Sequence, residues 1–283
     1  MRLRFVGQTA AAIFLAACLA GCSSMGSLFG SSDSGTLDTR PPDAMYKDAE
    51  EKLDKGSSAK AAEIFERIDQ LYPYSEESKK ATLMAAVSYQ KAGKGPEAVA
   101  AARRYLQLHP GTKEAAQAQQ IIAASYFDRV SSPTRDQGET KKAIAELETL
   151  MRRYPNSEYT EEAKRRIKLA HDTLAAAEMS VGRYWQKKGN YLAAVNRFKT
   201  VVTDYQQTSH VEEALMRLTE CYMALGIVNE AQTAAAVLGH NFPDSQWYKD
   251  AYALLQSGGA APHEDSGSWI SQTWKKTVSS VAG

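Results

Sequence analysis

Apolar residues recur along most of this chain at helical rather than strand spacing, and small ones mark a register that repeats five times. Alanines at 61, 98, 143, 194 and 231 each follow a glycine by five residues, at Gly56, Gly93, Gly138, Gly189 and Gly226. Four residues after each alanine stand Phe65, Ala102, Leu147, Phe198 and Ala235, and seven after it Ile68, Tyr105, Leu150, Val201 and Leu238. Offsets of four and seven fall on one face of an α-helix. Eleven residues on comes an aromatic or histidine: Tyr72, His109, Tyr154, Tyr205 and Phe242. Proline follows in four cases, at Pro73, Pro110, Pro155 and Pro243, with Gln206 the exception. In three repeats an aromatic also precedes the glycine by four residues, at Tyr89, Trp185 and Tyr222.

This register resembles the tetratricopeptide repeat, a pair of antiparallel helices. In such a pair the small residue of the second helix admits its neighbour, the glycine makes the turn between them, and the proline stops the second. The predicted fold is therefore all-α, a superhelical array of five tetratricopeptide-type helix pairs over residues 41–256. Successive alanines lie 37, 45, 51 and 37 residues apart, longer than the unit of about 34 residues. Two features account for the long intervals. Ser131 to Gln137 reads as an inserted loop, and Ser157 to Lys188, free of proline and with glycine only at Gly182, predicts one unusually long helix. Pro41, Pro42 and Asp43 suit the start of the first helix, and Ser245 to Leu255 a C-terminal capping helix.

The ends carry different patterns. Arg2 and Arg4 precede an apolar stretch, Thr9 to Ala20, too short for a permanent membrane span and read as a signal peptide over residues 1–21. It closes with Leu19-Ala20-Gly21-Cys22, similar to the bacterial lipobox, which makes Cys22 the first residue of the mature chain and the acceptor of diacylglycerol and N-acyl chains. The other reading is an ordinary secretory signal with a chance cysteine. Ser23 in place of aspartate resembles the signal for release to the outer membrane. Residues 22–40, rich in Ser, Gly and Asp, read as a flexible tether. Gln256 to Gly267 reads as a linker within the terminal segment 257–283. Trp269, Ile270, Trp274, Val278 and Val281 beyond it form a short amphipathic helix candidate. Two readings stand for that tail: a contact with membrane or partner, or a frayed terminus.

Composition narrows the function. A net charge of +1 leaves no basic excess to neutralise nucleic-acid phosphates. Of three cysteines, Cys18 leaves with the signal and Cys22 is acylated, so Cys221 stands alone in an apolar helical run and reads as a small buried hydrophobe. The histidines, His109, His171, His210, His240 and His263, have no paired metal-ligand spacing. His109 reads as a helix cap. Carboxylate pairs Glu76-Glu77 and Glu161-Glu162 sit beside basic residues, as solvated helix faces do. Neither enzyme nor cofactor is expected; what remains is a groove lined by the first helices of the repeats, suited to segments of other proteins. Tyr72, Tyr74 and Tyr89 are candidates for its N-terminal part, or equally are repeat-core residues.

Several stretches go beyond the generic repeat: Arg135-Asp136-Gln137, Arg153-Tyr154-Pro155-Asn156-Ser157 with Tyr159, Glu178 to Arg197, Tyr205 to Leu215, and Asn241-Phe242-Pro243 with Trp247-Tyr248. With the lipobox and tether they resemble the BamD family, lipoproteins of the machine that inserts β-barrel proteins into the bacterial outer membrane, over about residues 19–255. The resemblance implies an outer-membrane, lipid-anchored protein on the periplasmic side. It implies that repeats in residues 41–155 bind targeting signals of unfolded β-barrel substrates, and that repeats in residues 156–256 dock a POTRA domain of BamA beside other assembly-machine lipoproteins. Arg197 matches a family arginine at the BamA contact, with Asn196 and Lys188 nearby. The tail after Pro262 has no counterpart in that pattern. The rival within the same class is a periplasmic repeat lipoprotein that scaffolds cell-wall or division proteins.

Overall fold

The computed structural model describes residues 39–281, with side chains to 276. The signal peptide, Cys22 and nearly all of the tether lie outside the described residues. Within them are twelve helices and no strand. Ten form the five pairs: α1 (Pro42–Asp54) with α2 (Ser58–Leu71), α3 (Glu76–Lys91) with α4 (Gly95–Leu108), α5 (Ala115–Phe127) with α6 (Gly138–Arg153), α7 (Thr160–Lys187) with α8 (Tyr191–Asp204), and α9 (Val211–Ala224) with α10 (Val228–Asn241). The capping helix is α11 (Gln246–Ser257), and α12 (Trp269–Val281) ends the chain.

The repeated alanines all lie in the core. Ala61, Ala98, Ala143, Ala194 and Ala231 are all fully buried, and so are most of the large residues four and seven positions later. A methyl at these positions lets the first helix of the pair lie close enough for Phe65 or Phe198 to fill the space beyond it. Gly182 carries the same logic further. A Cβ there would stand 2.4 Å from the Phe198 ring, so only glycine lets α7 and α8 enclose that phenylalanine.

Four of the five register glycines make the expected turn. Gly56, Gly93, Gly189 and Gly226 have φ between 71° and 77°, the left-handed region that glycine enters without strain. The amide after each returns to the carbonyl five residues earlier: Ser57 to Lys52, Lys94 to Tyr89, Asn190 to Trp185 and Ile227 to Tyr222, at 2.8–3.0 Å. This is the Schellman closure. Gly138 departs from the expectation. The inserted loop replaces the tight turn, and Gly138 instead opens α6, its amide donating to the Asp136 carboxylate at 2.9 Å. Gln137 holds the loop through Nε2 bonds to the Ser132 and Arg135 carbonyls.

The second helices all end alike. Tyr72, His109, Tyr154, Tyr205 and Phe242 adopt φ near −130°, each donating its amide to the carbonyl four residues back. Three residues later Ser75, Thr112, Ser157, Thr208 and Ser245 donate back to those residues' carbonyls. Where Gln206 replaces proline, its side-chain amide donates to the Val202 carbonyl at 2.7 Å and occupies an end carbonyl of α8.

The long helix is present as 28 residues of α7. It runs from two smaller clusters, around Leu147, Leu150 and Leu174, into a large core cluster drawn from α7 to α12, while a second large cluster is drawn from α1 to α5. The tail candidate is present as a helix and, as far as side chains are described, is not frayed: α12 packs on α8 and α10, with Ile270 and Ser271 fully buried.

Candidate protein-binding surfaces

Three residues assigned from the sequence to partner contact lie on the α7–α8 hairpin. Arg197, on α8, has a side chain 47% exposed and pairs through Nη1 with the Glu178 carboxylate of α7 at 3.1 Å. Lys188 caps the C-terminus of α7, with its ammonium 5.9 Å from the Tyr184 ring. Asn196 is exposed on the next spoke of α8. Glu178, Val181, Tyr184 and Lys188 fall at helical spacings of three, three and four, so they share one face of α7. Val181 and Tyr184 are 38% and 54% exposed there. The result is a stripe roughly 15 Å long, from ten residues at about 1.5 Å each, with the apolar pair Val181 and Tyr184 between an ion pair at one end and a lysine at the other. An exposed aromatic flanked by charge has the anatomy of an interface centre and its rim. Sequence reasoning passed over Val181 and Tyr184 as site residues, although their spacing from Glu178 and Lys188 was there to be read.

The other face of α7 carries charge. Arg183 pairs with Glu213 at 2.9 Å, Arg217 reaches both Glu213 and Glu220, and Gln186 donates to Glu220 at 2.7 Å. Arg217 also stacks 5.5 Å from the Trp247 ring. Arg183, Gln186, Arg217 and Glu220 border a 620 Å³ groove between α7, α9 and α11.

At the N-terminal end the structure separates the three tyrosines proposed as a set. Tyr74 is fully exposed in the α2–α3 turn and Tyr72 half-buried beside it. Tyr89 stands near the far end of α3, only 6% exposed, and its hydroxyl donates to Glu66 at 2.8 Å. Burial and that carboxylate push its phenol well above the usual tyrosine range. Tyr89 is a repeat-core residue, the second of the two readings made for it. A concavity does exist, between α1 and α3, with a volume near 220 Å³. Its floor is Tyr46, Leu83, Met84 and Tyr105, and its rim carries Lys79, Lys80, Glu76 and Glu114. Lys79 with Leu83 and Lys80 with Met84 are i, i+4 pairs, a spacing visible in the sequence.

Cys221 is fully buried, and desolvation pushes its thiol up to about 12, so it is an inert part of the core. No group of His, Cys, Asp or Glu among the described residues is arranged to hold a metal, and no described helix is long and apolar enough to cross a membrane.

Paired helices in sequential register define a helical-repeat array. Comparison with known proteins makes this more particular. A family model described as YfiO, outer membrane lipoprotein, matches residues 38–238, and the chain belongs to that family. Among relatives, a Caulobacter vibrioides protein named outer membrane protein assembly factor BamD is 39% identical, over 90% of this chain and 82% of its own length. The Rickettsia prowazekii protein of the same name is 38% identical over 77% of this chain and 86% of its own, and that of Neisseria meningitidis 28% over 85% and 93%.

Proposed function

We propose that this chain is a non-enzymatic outer-membrane protein assembly factor, anchored through acylated Cys22 at the periplasmic face, that receives unfolded β-barrel chains and docks the POTRA domain of a BamA-like barrel protein. Family membership and the assembly-factor relatives support the general role. The observation that carries the docking reading is the exposed Val181–Tyr184 stripe between the Arg197–Glu178 pair and Lys188. Burying Tyr184 supplies the apolar contact, and the charged ends fix register.

Substrate reception fits the N-terminal concavity. A segment ending in an aromatic residue lays its ring against Tyr46, Leu83 and Met84, while Lys79 and Lys80 pair with its terminal carboxylate. Neither step needs an energy source, because association alone releases apolar surface from water. Membrane insertion then belongs to the barrel partner.

The test is a detergent pull-down of the tagged full-length protein from its own outer membranes, with Cys22→Ala as control. Recovery of a POTRA-bearing barrel protein, reduced when Cys22 is replaced, supports the reading. Recovery of cell-wall or division enzymes without it replaces the assembly role by the scaffold alternative.

A further inference from the structure

The tail segment is bound to the array as a ligand is bound. After α11 ends at Ser257 the chain turns at Gly259, which has φ of 73°, and runs back along α10. Gln232 donates to the Ala261 carbonyl at 2.7 Å, and the amides of His263 and Asp265 reach the Gln232 carbonyl and the Thr233 hydroxyl. Ser268 then donates its hydroxyl to Glu230 at 2.6 Å and caps α12 by accepting from the Ile270 amide. The Trp269 indole N–H donates to the Tyr222 hydroxyl at 3.1 Å, and the Lys199 ammonium sits 4.5 Å over its ring. Trp274 meets Phe242 edge to face at 6.0 Å. One short helix thus joins the fourth repeat, through Lys199, to the fifth, through Tyr222 and Glu230.

The fit is incomplete. The Trp274 Nε1 and Ser271 Oγ are buried with no hydrogen-bond partner, and such groups lose their hydration without recompense. Between the anchored Ala261–Asp265 stretch and the cap lie only Ser266 and Gly267, so release of α12 need not disturb α11. The site reads an indole on three sides, by phenol oxygen, ammonium and apolar floor, which is a specific chemistry for an amphipathic helix.

We infer that the face of α8 and α10 beneath the tail is a docking site for a tryptophan-bearing amphipathic helix, filled in cis by residues 262–276 and taken in exchange by a partner helix of the same chemistry. The cis helix competes at the high effective concentration its short linker gives it. The site is separate from the Val181–Tyr184 stripe and stands whether or not that stripe binds a POTRA domain.

The probe is a fluorescein-labelled synthetic peptide of residues 262–283, titrated against the full chain in detergent and followed by anisotropy. Trp269→Ala, which loosens the cis helix and leaves its groove intact, is expected to bind the peptide at least tenfold more tightly than the unaltered chain. Ile270→Ser is expected to do the same, and Lys199→Glu added to either is expected to remove the gain. Equal binding by all variants, absence of binding, a double variant that binds as well as the single one, or loss of helical signal in both single variants would each overturn the inference.

Discussion

The Arg197 guanidinium lies 3.1 Å from the Glu178 carboxylate, so the arginine proposed for partner contact is held in place by the helix bearing the exposed stripe. The pair is partly solvent-exposed, and pairs at the surface contribute at most about 1 kcal/mol to folding. Arg197→Glu is therefore expected to leave the thermal midpoint within a few degrees of the unaltered protein while placing two carboxylates together at the rim of the stripe. Copurification of the POTRA-bearing partner should fall about tenfold or more. A variant that unfolds, or one that copurifies normally, contradicts this assignment.

Gly182→Ala is expected to be far more damaging than its size suggests. The added methyl would stand 2.4 Å from the Phe198 ring, which is itself fully buried. Overpacking of this kind costs roughly 1–3 kcal/mol. Thermal denaturation followed by circular dichroism should show a lower midpoint, and pairing the change with Phe198→Leu should recover part of the loss. The same steric test applies at Gly239, where a Cβ would meet the Tyr248 ring at 2.3 Å.

In a chain lacking Cys18 and Cys22, the Cys221 thiol is expected to resist reagents at pH 8 while the protein is folded. Burial raises it to about 12, which leaves on the order of one part in ten thousand as thiolate at that pH. Its burial also opposes deprotonation only in the folded state. A raised thiol contributes stability that is whole below the ordinary thiol range and is lost as pH climbs toward 12. Reagent labelling should rise sharply with denaturant, in step with loss of helix. Rapid labelling of the native protein would show that the α9 core opens locally.

Charge at the N-terminal concavity provides another check. Lys79→Glu with Lys80→Glu is expected to weaken binding of a synthetic peptide that ends in an aromatic residue with a free carboxylate, by about tenfold or more at low salt, and to have little effect on the same peptide with an amidated end. Fluorescence anisotropy reads both. Equal loss for the two peptides would place recognition in the apolar floor rather than in the carboxylate.

Much of this architecture was legible because the repeat writes one physical requirement five times. Ala61, Ala98, Ala143, Ala194 and Ala231 stand out because each faces a neighbouring helix at contact distance, and the long α7 was visible as a stretch without proline. Gly138 misled because its spacing matches the others while its backbone does not: the preceding loop makes the turn, and Asp136 supplies the cap. Tyr89 belongs to the core for a reason the sequence leaves open, since only the fold shows Glu66 opposite its hydroxyl. The tail was hardest. Its spacing showed an apolar face, but whether lipid, a partner or the array covers such a face depends on Lys199, Tyr222 and Glu230, which lie about 40 to 70 residues earlier in the chain.

Calorimetric titration of the purified chain with the isolated POTRA domains of the barrel protein from the same organism tests the docking account most directly, with Tyr184→Ala as the comparison. Tyr184 is 54% exposed and supports no core cluster, so its loss should spare the fold. The account predicts saturable binding that Tyr184→Ala weakens at least tenfold, equivalent to about 1.4 kcal/mol, at an unchanged thermal midpoint. Equal affinities for the two proteins would contradict it.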